Sequence, residues 1–323
     1  MVSADVPGEQ EVPVVVDTPR GRSRRVFLAA VLMTGAVAIG YGRSEPAAPA
    51  AVASDPTPPA TATPLRIPYG DAADTFGELY LPVTGAGRYP VVVLIHGGGW
   101  TQSRTLTEFS AQAGSLAAHG VAVWNIEYRR VHGAGGWPTT LTDVEDAVTA
   151  LATIVVSRVG DLLDLQRVHL AGYSAGGHLA AWISGRRAAA SEKTAGAGRE
   201  IRIRSVTLMA AVLDLEFAVT NGRDGFVRKL LGGSPSEVPD RYDFASPIAH
   251  LPTGLRVTAV HGDTDRVVAL EQSRRYVSAA TRAGNAAELR VLPGTGHTEF
   301  TDATSPAWAT ARTTILDHVE YQH

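Results

Sequence analysis

The stretch Leu170-Ala171-Gly172-Tyr173-Ser174-Ala175-Gly176-Gly177-His178 constrains this chain more than any other, because it sets a serine between glycines where an apolar strand runs out and a helix can begin. In Gly-x-Ser-x-Gly the serine is raised on a tight strand-to-helix turn, and the strained backbone accepts only small residues two positions to either side. Gly172 and Gly176 fill those places. Five such residues can also make an ordinary turn, so the pattern gains meaning only from partners elsewhere in the chain.

The surroundings are those of an α/β protein. From Leu65 onward, short β-rich runs alternate with helical stretches, as when a mostly parallel sheet carries helices on both faces. Pro90 to His96 (PVVVLIH) is too short and too Val-rich for a helix and is expected as a buried strand. Val121 to Tyr128, Val168 to Tyr173, Val206 to Val212, Leu255 to His261 and Leu289 to Leu292 repeat the theme. Helices are expected over Thr105 to His119, Leu141 to Val156, Ala175 to Ser184, Glu271 to Ala283 and Pro306 to Tyr321. Asp71 to Leu81 alternates like an antiparallel edge hairpin, Arg186 to Gly198 is expected as an exposed loop, and Leu215 to Leu251 is a long insertion placed to wall a cleft.

The N-terminus has a different character. Ser23-Arg24-Arg25-Val26-Phe27-Leu28-Ala29, followed by an apolar run to Gly42, reads as a twin-arginine export signal, departing from that consensus where Ala29 stands for lysine. The run from Val26 to Gly42 falls short of the ~20 apolar residues that span a bilayer. Ala51-Val52-Ala53 supplies an A-x-A cleavage site, so residues 1–53 are expected as the signal, 54–64 as a Pro/Ala/Thr-rich disordered linker and 65–323 as one folded domain. On this reading the protein is exported to the periplasm, cell surface or medium, and meets a membrane only through an uncleaved signal. Its oligomeric state is left open.

Composition narrows the chemistry. The net charge of −3, with no Lys/Arg block in the folded part, gives no footprint for nucleic acid. With no cysteine, disulfides, thiolate metal sites and cysteine nucleophiles are excluded together. No H-E-x-x-H or comparable ligand spacing appears, so no metal is assigned, and neither a G-x-G-x-x-G in the first βα turn nor a Gly-Lys-Ser/Thr offers a phosphate cradle.

A serine is a poor nucleophile until a base, usually histidine, takes its proton, and that base is oriented by a carboxylate. His261-Gly262-Asp263-Thr264-Asp265-Arg266-Val267-Val268 leaves the strand at Leu255 to Val260, and Pro293-Gly294-Thr295-Gly296-His297 leaves the strand at Leu289 to Leu292. Both are loops at strand ends, downstream of the serine, with acid before histidine. His297, flanked by glycines, is favoured as the base; His96, His169, His178 and His261 are read as structural. His96-Gly97-Gly98-Gly99-Trp100 directly follows the Pro90 to Ile95 strand, where three glycines let backbone N–H groups approach a tetrahedral oxyanion without side-chain obstruction. Gly98 and Gly99 are expected to donate there with the Ala175 N–H.

With HGGGW, Glu127-Tyr128-Arg129, Gly136-Trp137-Pro138, Asp143, GYSAGGHLA, SPIAHLP at Ser246 to Pro252, HGDTD and GTGH together, the sequence resembles the α/β-hydrolase superfamily across nearly all of residues 65 to 323, and most of all its esterase/lipase and kynurenine-formamidase-like branch. The resemblance favours Asp265 over Asp263 as the acid, through the pattern His-Gly-x-x-Asp-x-x-Val. It implies Ser174, Asp265 and His297 as the triad, Gly98, Gly99 and Ala175 as the oxyanion hole, a small ester or amide as substrate, and no cofactor. An exported esterase is the leading expectation. A formamidase or other amidase, a single-domain serine peptidase and a non-catalytic binding module are the alternatives. Trp100, Trp137, Tyr173 and Phe226 are candidates to line an apolar pocket or, equally, to fill the core.

Overall fold

A computed structural model of the protein describes residues 14–16, 63–83, 87–191, 200–221 and 225–320. The expected export signal and linker lie outside the described residues, apart from a three-residue strand, β1 (Val14–Val16), that pairs in parallel with the sheet edge.

Among the described residues, nine strands form one sheet in the order β1-β9-β8-β7-β6-β4-β5-β3-β2. They are β1, β2 (Leu65–Pro68), β3 (Phe76–Tyr80), β4 (Tyr89–Ile95), β5 (Ala122–Ile126), β6 (Leu163–Tyr173), β7 (Ile203–Met209), β8 (Arg256–Gly262) and β9 (Ala286–Leu292). β2 pairs antiparallel with β3 and β3 with β5; every other pairing is parallel. The helices are α1 (Ser110–Ala117), α2 (Thr139–Ala150), α3 (Val156–Val159), α4 (Ala175–Ser191), α5 (Leu215–Thr220), α6 (Gly225–Leu231), α7 (Pro239–Ala245), α8 (Glu271–Arg282) and α9 (Pro306–Glu320).

The apolar runs become strands buried on both faces. Along β4, Val91, Val93 and Ile95 enter one hydrophobic cluster, with Trp124, Leu179 and Trp182, while Val92 and Leu94 enter the other, with Phe109, Leu116 and Trp308. That alternation is the two-residue period of a strand, and each fully buried aliphatic side chain is worth roughly 1.5–3 kcal/mol over its exposed state. Connections from β4 run outward both ways, to β5 on one side and on to β6 on the other. In an open parallel sheet the C-terminal ends of strands at such a reversal flank a crevice. The chain places HGGGW after β4 and Ser174 after β6, at that crevice.

Four expectations are corrected. The hairpin expected over Asp71 to Leu81 is built from β2 and β3, and residues 69–75 are its connection, closed by Tyr69 N–H donating to Thr75 O at 2.9 Å. The Thr105 to His119 helix begins as a 3-10 turn (Leu106–Phe109) before α1. The Leu141 to Val156 helix is α2, a π-helical turn (Leu151–Val155) and α3 in succession. The loop expected from Arg186 does not begin there, because α4 continues to Ser191 through the helix-favouring run Arg186 to Ala190; residues 192–199 lie outside the described residues.

Candidate active site

Ser174 stands between β6 and α4 with φ at 52°, in the left-handed region that side chains rarely adopt. Such strain persists only where the surroundings over-determine it. Here Ser174 N–H donates to Met209 O at 2.8 Å and Ser174 O accepts from His178 N–H at 3.0 Å. The flanking glycines are required by contact: a Cβ on Gly172 would strike the carbonyl of Gly176, and one on Gly176 would strike the carbonyls of Ile95 and His96. The elbow is wedged against the end of β4.

Asp265 and His297 come to Ser174 from the loops after β8 and β9. His297 Nε2 lies 3.0 Å from Ser174 Oγ, and His297 Nδ1 lies 2.7 Å from Asp265 Oδ2. The carboxylate can only accept, so Nδ1 carries the proton and Nε2 is left to accept from the serine hydroxyl. Asp265 is buried; its Oδ1 accepts from Val267 N–H at 2.8 Å and Val268 N–H at 2.9 Å. Burial pushes the Asp265 carboxyl up, but hydrogen bonds from His261 and His297 outweigh this and hold it well below the usual carboxylate range. Asp263, the alternative acid, points elsewhere: its Oδ1 accepts from Gly294 N–H at 2.7 Å and ties the two loops together. Tyr173 braces the base, with its ring 5.0 Å from the imidazole and its hydroxyl donating to His297 O at 3.0 Å.

The glycine loop lies opposite. Gly98 and Gly99 have φ of 99° and 60°, and with Ala175 they line the same cleft as Ser174 and His297. A Cβ on Gly98 would collide with the stem of Arg104. The loop is pinned from behind by a buried polar cluster that sequence reasoning missed. His96 Nε2 lies 2.9 Å from Glu127 Oε1, Glu127 pairs with buried Arg130, and Arg130 reaches Asp74 at 3.3 Å. Glu127 Oε2 also accepts from Leu106 N–H at 3.0 Å, and Tyr128 donates to His96 O at 2.9 Å. The signal available was the Glu127-Tyr128-Arg129 motif with Arg130 beside it, which brings Glu127 and Arg130 together at i,i+3 but points to neither His96 nor Asp74.

The cleft encloses about 750 Å³. Thr101, Ser103, Arg104, Glu108, Thr298 and Thr301 make its polar side, and Trp100, Val212, Phe226, Val267 and Val268 its apolar side. Of the four aromatics considered for a pocket, Trp100, Tyr173 and Phe226 line the cleft, whereas Trp137 packs edge-on against Phe244, 5.1 Å away. His96, His169, His178 and His318 are buried within the fold. Among the described residues, no group of three or more His, Cys, Asp or Glu side chains could hold a metal ion, and no helix is long and apolar enough to cross a membrane.

The chain resembles known proteins to different extents. The chain is 29% identical over 245 residues to the esterase LipC of Mycobacterium tuberculosis, covering 72% of this chain and 59% of LipC. It is 32% identical over 119 residues to the kynurenine formamidase of Salmo salar, covering 37% of each chain. It thus spans less than two thirds of the length of these curated relatives. A solved structure described as a truncated carbohydrate esterase from gut microbiota superposes with a TM-score of 0.67 at 22% identity, over 83% of this chain and 99% of that one, a likeness of fold. Residues 78–279 match the BD-FAE family model, and the chain belongs to that family, within the esterase/lipase branch of the α/β-hydrolase superfamily.

Proposed function

We propose that the protein is a serine hydrolase that cleaves small carboxylic esters through an acyl-enzyme intermediate. The observation that carries this reading is the unbroken line from Asp265 through His297 to Ser174, ending in a cleft lined by Gly98, Gly99 and Ala175. Ser174 Oγ attacks the ester carbonyl while His297 Nε2 takes its proton, and Asp265 stabilises the imidazolium. The carbonyl oxygen, now anionic, is met by the N–H groups of Gly98, Gly99 and Ala175; losing one such donor costs about a hundred- to thousand-fold in turnover. His297 then returns the proton to the leaving alkoxide, and the same base activates the water that frees the acid. No cofactor enters these steps. The esterase name of LipC supports the ester reading, and the short kynurenine formamidase match keeps a formamide or other amide as the competing substrate. Export through the twin-arginine pathway, supported by Ser23 to Ala29, places the reaction outside the cytoplasm in this proposal.

The test uses the full chain. Nitrophenyl esters of short acids should be hydrolysed, and a fluorophosphonate probe should label Ser174. The Ser174→Ala variant should lose about a millionfold in kcat and all labelling. Equal turnover by both proteins would end the proposal, and an unlabelled wild type would point to a binding module. Rates on acetyl esters, N-formylkynurenine and an aminoacyl amide compared side by side decide between ester and amide.

A further inference from the structure

His261 ends β8 and is wholly buried, and by sequence it is one histidine among several with a structural part. Its surroundings connect it to the active site. Nε2 lies 3.0 Å from Val268 O and 3.2 Å from Asp265 Oδ2. Both of those atoms are acceptors, so Nε2 carries a proton and donates. Nδ1 lies 2.7 Å from the Ser273 hydroxyl on α8, which donates to it. Val268 O takes the nearer share of the single Nε2–H and Asp265 Oδ2 the longer one, so a row of polar contacts, Ser273 to His261 to Asp265 to His297 to Ser174, ties a helix and a strand of the scaffold to the serine.

The position of this donor matters because Asp265 Oδ2 is the oxygen that His297 uses. Backbone N–H groups hold Oδ1, and because both oxygens turn together about a broad sp³–sp² torsion, a further contact on Oδ2 narrows the turn that those bonds allow. We infer that His261 is a positioning residue for the proposed reaction: its Nε2–H fixes Asp265 Oδ2 against His297 Nδ1 and draws off part of the carboxylate's charge. The inference rests on the serine-hydrolase reading above. Other ionisable groups face the row from every side: Asp263 in the acid loop, Glu271 and Arg274 on α8, Glu299 beyond His297, and the Arg104–Glu108 pair across the cleft. They are unchanged by substitution at 261.

Two variants of similar polarity separate positioning from bulk. In His261→Gln the amide nitrogen can stand where Nε2 stood, whereas in His261→Asn it reaches only the Nδ1 position and faces Ser273. With kcat expressed per fluorophosphonate-labelled serine, H261Q should keep kcat/KM within about threefold of wild type and leave its acid limb in place. H261N should lose about tenfold in kcat at nearly unchanged KM, the order that one hydrogen bond to a charged group supplies. Its acid limb should also move upward, since a carboxylate short of one donor attracts positive charge beside it more strongly. Should H261N not fold, His261→Met removes the donor at similar length and carries the same expectation. Identical behaviour of the donor-keeping and donor-lacking variants, or a fall in Tm with an unmoved acid limb, overturns the inference while Ser174 labelling keeps the hydrolase reading intact. Failure of the wild type to label would overturn both.

Discussion

The cleft at Ser174 joins a packed side and an exposed side, and the two are built by different physics. On the side of Ser174 and the glycine loop, each position is held by contacts that cannot relax: carbonyls packed where a Cβ would go on Gly172 and Gly176, and buried charges at Glu127 and Arg130 behind His96. On the exposed side, Phe226 from α6, whose ring also covers Gly99, and Val267 from the acid loop are 45% and 53% exposed, and both stand at the cleft. The first side places atoms to a fraction of an ångström, as bond-making needs. The second offers apolar area, which orients a substrate weakly and tolerates many shapes. Substitutions on the rigid side should therefore change kcat, and those on the exposed side should change which ester is preferred.

The largest effect expected from this comparison is at Asp265. Asp265→Asn keeps the volume, but its amide must either donate to His297 Nδ1 or turn away, and both leave the imidazole in the wrong tautomer. Activity should fall by about ten-thousandfold with little change in KM, measured on a nitrophenyl ester. Acidity gives a second check. The Asp265 carboxyl lies below its ordinary 3.8, so the carboxylate stays ionised as the pH falls from 7 towards that value. Its stabilising hydrogen bonds are present throughout that window and are lost only as the pH falls further, through the depressed folded-state value. Activity lost between pH 7 and 5 then reports protonation elsewhere in the row. An acid limb of kcat/KM abolished by removing another carboxylate, such as Glu299, would break this assignment.

An intermediate effect is expected behind the glycine loop. Glu127→Gln leaves buried Arg130 with the partly exposed Asp74 as its remaining charged partner and loosens the hold on His96. Breaking a buried pair in this way costs about 3–5 kcal/mol, so Tm should fall markedly. In the fraction that stays folded, kcat should drop about tenfold or more as Gly98 and Gly99 lose their fixed direction. A normal kcat per labelled serine in this variant would show that the loop holds its shape without the cluster, and would erase much of the contrast between the two sides.

Much of the rigid side was legible in the sequence because its signals are local. Gly-x-Ser-x-Gly, HGGGW and the two loops with Asp265 and His297 each lie within a few residues of an apolar strand, so the motif and its position could be read together. The supports were not legible. Glu127 and Arg130 are neighbours at i,i+3, but Asp74 and His96 join them only after β3, β4 and β5 are laid side by side, and no spacing along the chain announces that. His261 stands next to the acid loop, yet its contact with Asp265 depends on how the loop turns back over the end of β8. In the fold, β4 to β9 were found to within a few residues. The edge hairpin expected over Asp71 to Leu81 takes its first strand from Leu65 to Pro68 instead, and Asp71 to Thr75 belong to the turn between the strands. The extent of α4 was underestimated because Ala-rich polar runs suit a loop and a helix alike.

The smallest effect, and the one that bears most on substrate choice, is at Phe226. Its ring lies over Gly99, close enough that a Cβ there would come within 3.1 Å, and so it borders the space an acyl or alcohol group enters on leaving Ser174. Phe226→Ala removes apolar area from a half-exposed position, so little stability should be lost and Tm should stay within a degree or two. The chemistry at Ser174 is untouched, and kcat on an acetyl ester should stay within about twofold of wild type. Longer acyl chains should show the difference, with kcat/KM on a hexanoyl ester changing by about tenfold relative to acetyl, the scale of one or two methylenes gaining or losing contact. The sign is informative. A rise means that the ring limits chain length as a steric wall, and a fall means that it is the surface on which the chain lies. An unchanged acetyl-to-hexanoyl ratio would show that the acyl group points away from α6, and would move substrate discrimination to the threonine and serine hydroxyls on the polar side of the cleft.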